Sequence, residues 1–132
     1  MHMLDTNMCI YVLRGRAGAL RQRFNATADL CISVVTYAEL CFGIENGDVK
    51  RRAARIDQLA LFVRRLSVLP LTETVGPAYG SIRTDLRQRG ELIGHNDLFI
   101  AAHAISENAV LVTNNSSEFE RIPGLKVENW VQ

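Results

Sequence analysis

Four places in this 132-residue chain set acidic or amide side chains just after short apolar runs. Asp5 follows "MHML". Glu39 lies in the first turn or so of the helical pattern after "LCISV". Asp97 opens "DLFIAAHAISE". Asn114, Asn115 and Glu118 follow "VLVT". Each has an ordinary use, because a short polar side chain before a helix caps the exposed backbone amides. Asp5 or Asn7 could cap a first helix, and Asn96 or Asp97 another. Thr36 with Glu39, and Asn115 with Glu118, fit the spacing of a capping box.

Their joint occurrence points further. In a parallel α/β sheet the helix N-termini gather where the strands end, so acids at successive turns meet in space. Meeting carboxylates raise one another's pKa unless a cation neutralises them. Hard oxygen donors of this kind suit Mg2+ or Mn2+. Zinc spacing of His and Cys is absent, with His2, His95 and His103 scattered along the chain. A divalent ion held by carboxylates serves phosphoryl chemistry by activating water and holding the leaving oxygen. There is no G-x-S-x-G, P-loop or G-x-G-x-x-G.

The elements that must position these residues are legible as short strands and longer helices. Met1–Leu4, Leu30–Val34, Ser67–Leu71, Val110–Thr113 and the weaker Leu125–Val127 read as strands. Helical patterns cover Thr36–Ile44, Arg51–Leu66, Val75–Arg89 and Asp97–Glu107. Ile56, Leu59, Ala60 and Val63 share one face of the second, and Gly90 stops the third. The last is apolar almost throughout and should be buried. This alternation predicts α/β architecture with a parallel sheet covered on both faces.

Length allows one domain, residues 1–132, and the 48% apolar fraction argues against disorder. No apolar run approaches a membrane span, and no basic-then-apolar leader opens the chain, so a cytoplasmic protein without membrane contact is expected. Cys9, Cys31 and Cys41 lack disulfide spacing and read as reduced core thiols. Net charge is +1, yet of 15 basic residues only Lys50 and Lys126 are lysines. Arginine suits forked contact with phosphate, although a GC-rich genome gives the same bias.

"MLDTN", "ISVVTYAEL", "IGHNDLFIAAHA" and "LVTNNSSEFERIPGL", in that order, resemble the PIN-domain ribonucleases. The likeness is greatest to the VapC toxins of bacterial toxin–antitoxin pairs, and it covers essentially the whole chain. The resemblance implies a three-layer PIN-like fold, with a four- or five-stranded parallel sheet between helices. It implies endonuclease action on RNA, often tRNA, dependent on Mg2+ or Mn2+ and leaving 5′-phosphate and 3′-hydroxyl ends. By position, Asp5, Glu39 and Asp97 match the family's acidic residues. Thr6 and Thr113 match its hydroxyl neighbours. Many relatives carry an aspartate where this chain has Asn115, and Glu118, one helical turn on, could supply the charge. The resemblance further implies inhibition of translation, a cognate VapB-type antitoxin and a homodimer. Candidate RNA contacts are Arg14, Arg16, Arg21 and Arg23, and Arg51, Arg52 and Arg55. An antitoxin arginine could enter the acidic pocket, with its tail on Tyr11, Val12, Leu13 and the "LCFGI" helix face.

Two other readings stay open. A receiver-type signalling domain is also α/β and binds Mg2+, but it needs an aspartate where the third strand ends, and Leu71–Thr72 stand there. A catalytically silent RNA-binding module would keep the fold alone.

Overall fold

The computed structural model describes residues 1–15 and 18–131. Five short strands form one sheet: β1 (His2–Leu4), β2 (Leu30–Ser33), β3 (Ser67–Leu69), β4 (Val110–Val112) and β5 (Val127–Glu128). Their order is β3-β2-β1-β4-β5, and every pairing is parallel. The described helices are α1 (Thr6–Arg14), α2 (Gly18–Ala26), α3 (Val34–Glu45), α4 (Arg52–Val63), α5 (Val75–Gln88), α6 (His95–Ser106) and α7 (Ser116–Phe119). The parallel sheet between helices is as the sequence predicts.

Side chains alternate across the strands, so each strand feeds two cores. Met3, Cys31 and Leu111 pack with α5, α6 and Phe119 on one face. Leu4, Ile32 and Val112 pack with α1, α2, α3 and α4 on the other. Cys9 and Cys31 are buried thiols and Cys41 is half-buried, all three unpaired.

The chain steps outward from β1 to β2 to β3, then crosses back to β4 on the far side of β1. This reversal opens a crevice beyond the carboxyl ends of β1 and β4, where α/β sheets bind ligands. The Asp5 amide donates to the Val112 carbonyl at 3.0 Å, closing the two strand ends together.

Several boundaries differ from the sequence reading for local reasons. The last strand is shifted from Leu125–Val127, because β4 sets its register: Leu111 N–H bonds to Lys126 and Thr113 N–H to Glu128. Helix α2 has no strong apolar pattern and buries only Leu20 and Phe24. On α4 the buried pair is Leu59 and Phe62, while Ile56 is 49% exposed. Gly90 ends α5 as expected, with φ 69° and a bond from Glu91 N–H back to the Leu86 carbonyl at 2.8 Å.

Helix α3 begins at Val34 and is capped by Ser33, whose Oγ accepts from the Val35 amide at 3.1 Å. The Thr36–Glu39 capping box therefore does not form. The same Oγ lies 2.7 Å from Nδ1 of His103, a fully buried residue of α6. The hydroxyl has a second lone pair and its own proton, so it serves either tautomer of the ring, accepting from or donating to Nδ1. Burial lowers the His103 pKa, against smaller opposing effects of Glu107 and the Pro70 carbonyl, so the ring stays neutral. Ser33 thus ties the start of α3 to the middle of α6.

Ser33→Ala removes the cap and the His103 partner together. Expected is a loss of about 1–3 kcal/mol in stability, read as a lowered urea midpoint with unchanged m-value. An unchanged midpoint would show that the pair does not hold the two helices.

Candidate active site

Asp5 sits at the N-cap of α1 and is 3% exposed. Its Oδ1 accepts from the Met8 amide at 2.9 Å. The capping use read from the sequence is real, and it occupies one of the two carboxyl oxygens. Burial pushes the Asp5 carboxyl pKa up; the Thr113 hydroxyl and Met8 amide pull it back, and the Glu39 charge adds to the rise.

Glu39 lies one turn deeper in α3 than the sequence suggests, at its sixth residue. The Thr6 hydroxyl donates to its Oε1 at 2.5 Å, and the Asn96 amide donates to Oε2 at 3.3 Å. Residues from α1 and α6 thereby fix the carboxylate on α3. Asp97 occupies the first turn of α6, whose N-cap is Gly94, with no side-chain cap. Neither Asn96 nor Asp97 caps its helix. The Asp97 pKa is raised to about 6, first by burial and then by the charges of Asp5, Glu39 and Glu118.

Asp5, Thr6, Asn7, Glu39, Asp97, Asn115 and Phe119 line one cavity of about 160 Å³. Thr113, wholly buried, accepts the Asn115 amide proton on its hydroxyl at 2.9 Å. The Asn115 side-chain amide donates to Glu118 at 2.8 Å and makes no cap to α7. Glu118 therefore reaches the cavity through Asn115 and through its field on Asp97. Sequence reading missed the contributions of Asn7 as a wall, of Asn96 as the holder of Glu39, and of the Ser33–His103 tie. Asn7 and Asn96 each adjoin a motif acid or its neighbour, which was the available signal.

The donor set is all oxygen, carboxylate with hydroxyl and amide, and fits a hard divalent cation in chemistry. Among the described residues no three Asp, Glu, His or Cys groups are gathered at metal-binding distance. The acids form an open cup, which an ion would have to draw closer.

The arginines divide. Arg14 and Arg55 line a separate, more apolar groove with Ile10, Leu13, Leu40, Ile44 and Leu59, and Glu39 lines both it and the acidic cup. Arg23 is held elsewhere, 3.3 Å from Glu128 and stacked 4.8 Å over the Trp130 ring. Arg52 donates to the Glu45 carbonyl at 2.9 Å, and Arg51 lies 3.9 Å from Asp48. Arg21 is exposed on α2, and Arg16 lies outside the described residues. In the proposed tail site, Leu13 lines the groove, but Val12 is 1% exposed and belongs to the core. Among the described residues no helix is long and apolar enough to cross a membrane.

The sequence matches the PIN domain over residues 2–125. It is 43% identical to ribonuclease VapC2 of Haemophilus influenzae, over 98% of each chain. The chain belongs to the VapC branch of the PIN-domain family. It is 39% identical to the tRNA(fMet)-specific endonuclease VapC of Shigella flexneri, over 97% of this chain and 96% of the relative. Among solved structures it superposes on VapBC from Salmonella typhimurium, determined bound to DNA, with a TM-score of 0.91 at 38% identity. That match covers 98% of this VapC-type chain and 97% of the other. VapBC2 from Rickettsia felis, bound to a fragment of its promoter, gives 0.88 at 38% identity, with 98% of both chains covered.

Asp97→Asn removes one repelling charge from a half-buried cup. At pH 7.5 the variant should be more stable than wild type by about 1 kcal/mol, after discounting for solvent screening. The sign follows from the raised pKa: below about 6 the folded wild type protonates Asp97 itself, so the advantage shrinks as pH falls. Melting curves at pH 7.5 and 5 check it. An advantage independent of pH would place the cause outside this carboxyl.

Proposed function

We propose that this chain is a metal-dependent endoribonuclease and the toxin of a toxin–antitoxin pair, cutting RNA and most directly tRNA to stop translation. The observation that carries the reading is the meeting of Asp5, Glu39 and Asp97 on one cavity, brought by three helices to the carboxyl edge of the sheet. The names of relatives at about 40% identity agree: a ribonuclease in one case and a tRNA(fMet)-specific endonuclease in another.

Asp5, Glu39 and Asp97 would hold Mg2+ or Mn2+, which supplies water activation and charge neutralisation at the scissile phosphate. The chain's own residues prepare that role. Met8 N–H and the Thr113 hydroxyl favour the ionised form of Asp5. Thr6 and Asn96 hold Glu39 from opposite sides. Asp97, its pKa raised to about 6 by burial and by neighbouring charge, takes up a proton readily when no cation is near. Asn115 offers an amide oxygen without charge, and its amide nitrogen orients Glu118.

The proposed partner is a VapB-type antitoxin. The groove lined by Ile10, Leu13, Leu40, Ile44 and Leu59 supplies an apolar bed for an amphipathic tail. Glu39 lines both this groove and the acidic cup, so a partner guanidinium beside it would pair with the acids in place of the metal. A homodimer in the cytoplasm completes the proposal. The receiver alternative lacks its phosphoacceptor: β3 ends at Leu69, and the exposed residues Pro70, Leu71 and Thr72 carry no carboxylate.

Purified protein should cut tRNA in Mg2+, with ends mapped as 5′-phosphate and 3′-hydroxyl, and excess EDTA should abolish cutting reversibly. Equal cutting in EDTA would sink the mechanism, and no cutting of any RNA would favour the silent binding module. At saturating Mg2+, Asn115→Ala should slow cleavage far less than Asp5→Ala, which should lose at least about 100-fold. Equal losses would make Asn115 a primary ligand.

A further inference from the structure

A second cavity, of about 360 Å³, lies beside the acidic cup and is lined by Asn7, Ile10, Tyr11, Arg14 and Asn114. We propose that it is a nucleobase subsite, which seats an amino-bearing base next to the scissile phosphate; this rests on the ribonuclease reading above.

Its position follows from topology. Residues 7, 10, 11 and 14 form one face of α1, at the i, i+3, i+4, i+7 spacing. Asn114 faces them from just beyond β4, across the crevice where strand order reverses. Asn7 lines both this cavity and the acidic cup, so the two are adjacent. A group bound in one is a neighbour of a group bound in the other.

The lining has the chemistry of base recognition. Sequence-specific RNA readers splay out single-stranded bases, stack them on aromatic rings and bond their edges. Tyr11, half-buried, supplies the ring. Two neutral amides, Asn7 and Asn114, supply edge contacts, and Arg14 supplies a forked cation for the adjoining phosphate. A surface that bound only backbone phosphates would be basic, whereas here amides outnumber the one arginine. Asn114 also carries an unsatisfied demand. Its Oδ1 has no hydrogen-bond partner among the described residues and is closed off from solvent, so a ligand in the cavity meets it only when the amide turns outward. A buried acceptor without a donor is destabilising, and a ligand that donates relieves it. The exocyclic amine of adenine, cytosine or guanine is such a donor. At about 360 Å³, against about 160 Å³ for the cup, the cavity suits a planar ring and not a lone ion.

The test uses RNA oligonucleotides spanning the mapped cut, with an abasic residue at either of the two flanking nucleotides. In wild type, one abasic position should lower kcat/KM by about tenfold or more. In Tyr11→Ala the same abasic change should cost almost nothing further, because the stacking surface is already gone. Tyr11→Leu keeps the bulk without the ring and gives the same reading if the alanine variant does not fold. Asn114→Ser should narrow the preference for an amino-bearing base over uracil at that position by about tenfold. The subsite is overturned if wild type ignores both abasic changes, or if their penalties persist in full in the Tyr11 variants. A wild type that cuts no RNA at all overturns the ribonuclease reading itself, which is a separate outcome.

Discussion

The Asp5 carboxyl has 3% of its surface exposed, at the end of the central strand, where water cannot stabilise its charge. An unsupported anion there would be untenable. The surroundings are arranged around that constraint. The Met8 amide of α1 bonds to it, with the positive end of the helix behind. The Thr113 hydroxyl favours its ionised form, and the Asp5 backbone is bonded to Val112. Moving this carboxylate would mean opening β1 from β4. Glu39 and Asp97 then add like charge to the same small space. The folded chain therefore carries built-in repulsion, which adds to burial in raising the Asp97 pKa. In the proposed function that repulsion is what recruits a cation.

Capping and chemistry are not rivals at these turns. Asp5 performs the cap with one oxygen and faces the cavity with its carboxyl group. Elsewhere the cap is delegated so that the acid stays free. Ser33 serves α3, which releases Glu39 to be gripped by Thr6 and Asn96. The chain turns into α6 at Gly94 without a side-chain cap, which releases Asp97. The Ser33 hydroxyl also engages His103, so the two helices that carry Glu39 and Asp97 are joined away from the solvent.

What could be read from residue order was whatever depends on local pattern. The strands are short apolar runs with abrupt polar ends, and α6 is apolar on all sides, so both were visible. The convergence of Asp5, Glu39 and Asp97 followed from a general property of parallel sheets. What escaped depends on tertiary contact. Helix α2 exists because Leu20 and Phe24 find a core, not because its sequence insists on a helix. Phe62, rather than Ile56, is buried where its ring stacks on Phe24 of α2, 5.4 Å between centroids. Arg23 looks like a nucleic-acid contact until Glu128 and Trp130, more than a hundred positions later, occupy it. The Ser33–His103 bond joins residues 70 apart.

The strand order has a consequence in time. The central strand is made first, yet one of its two neighbours, β4, lies near the other end of the chain. The Asp5 cradle needs Val112 and Thr113, and the cup needs Asn115. During synthesis Asp5 must wait, without its wall, until residues more than a hundred positions later have been made. Such distant pairing slows folding. It also means that a chain cut before β4 carries Asp5, Glu39 and Asp97 without Asn115 and Phe119, so the cavity exists only once β4 and α7 are in place.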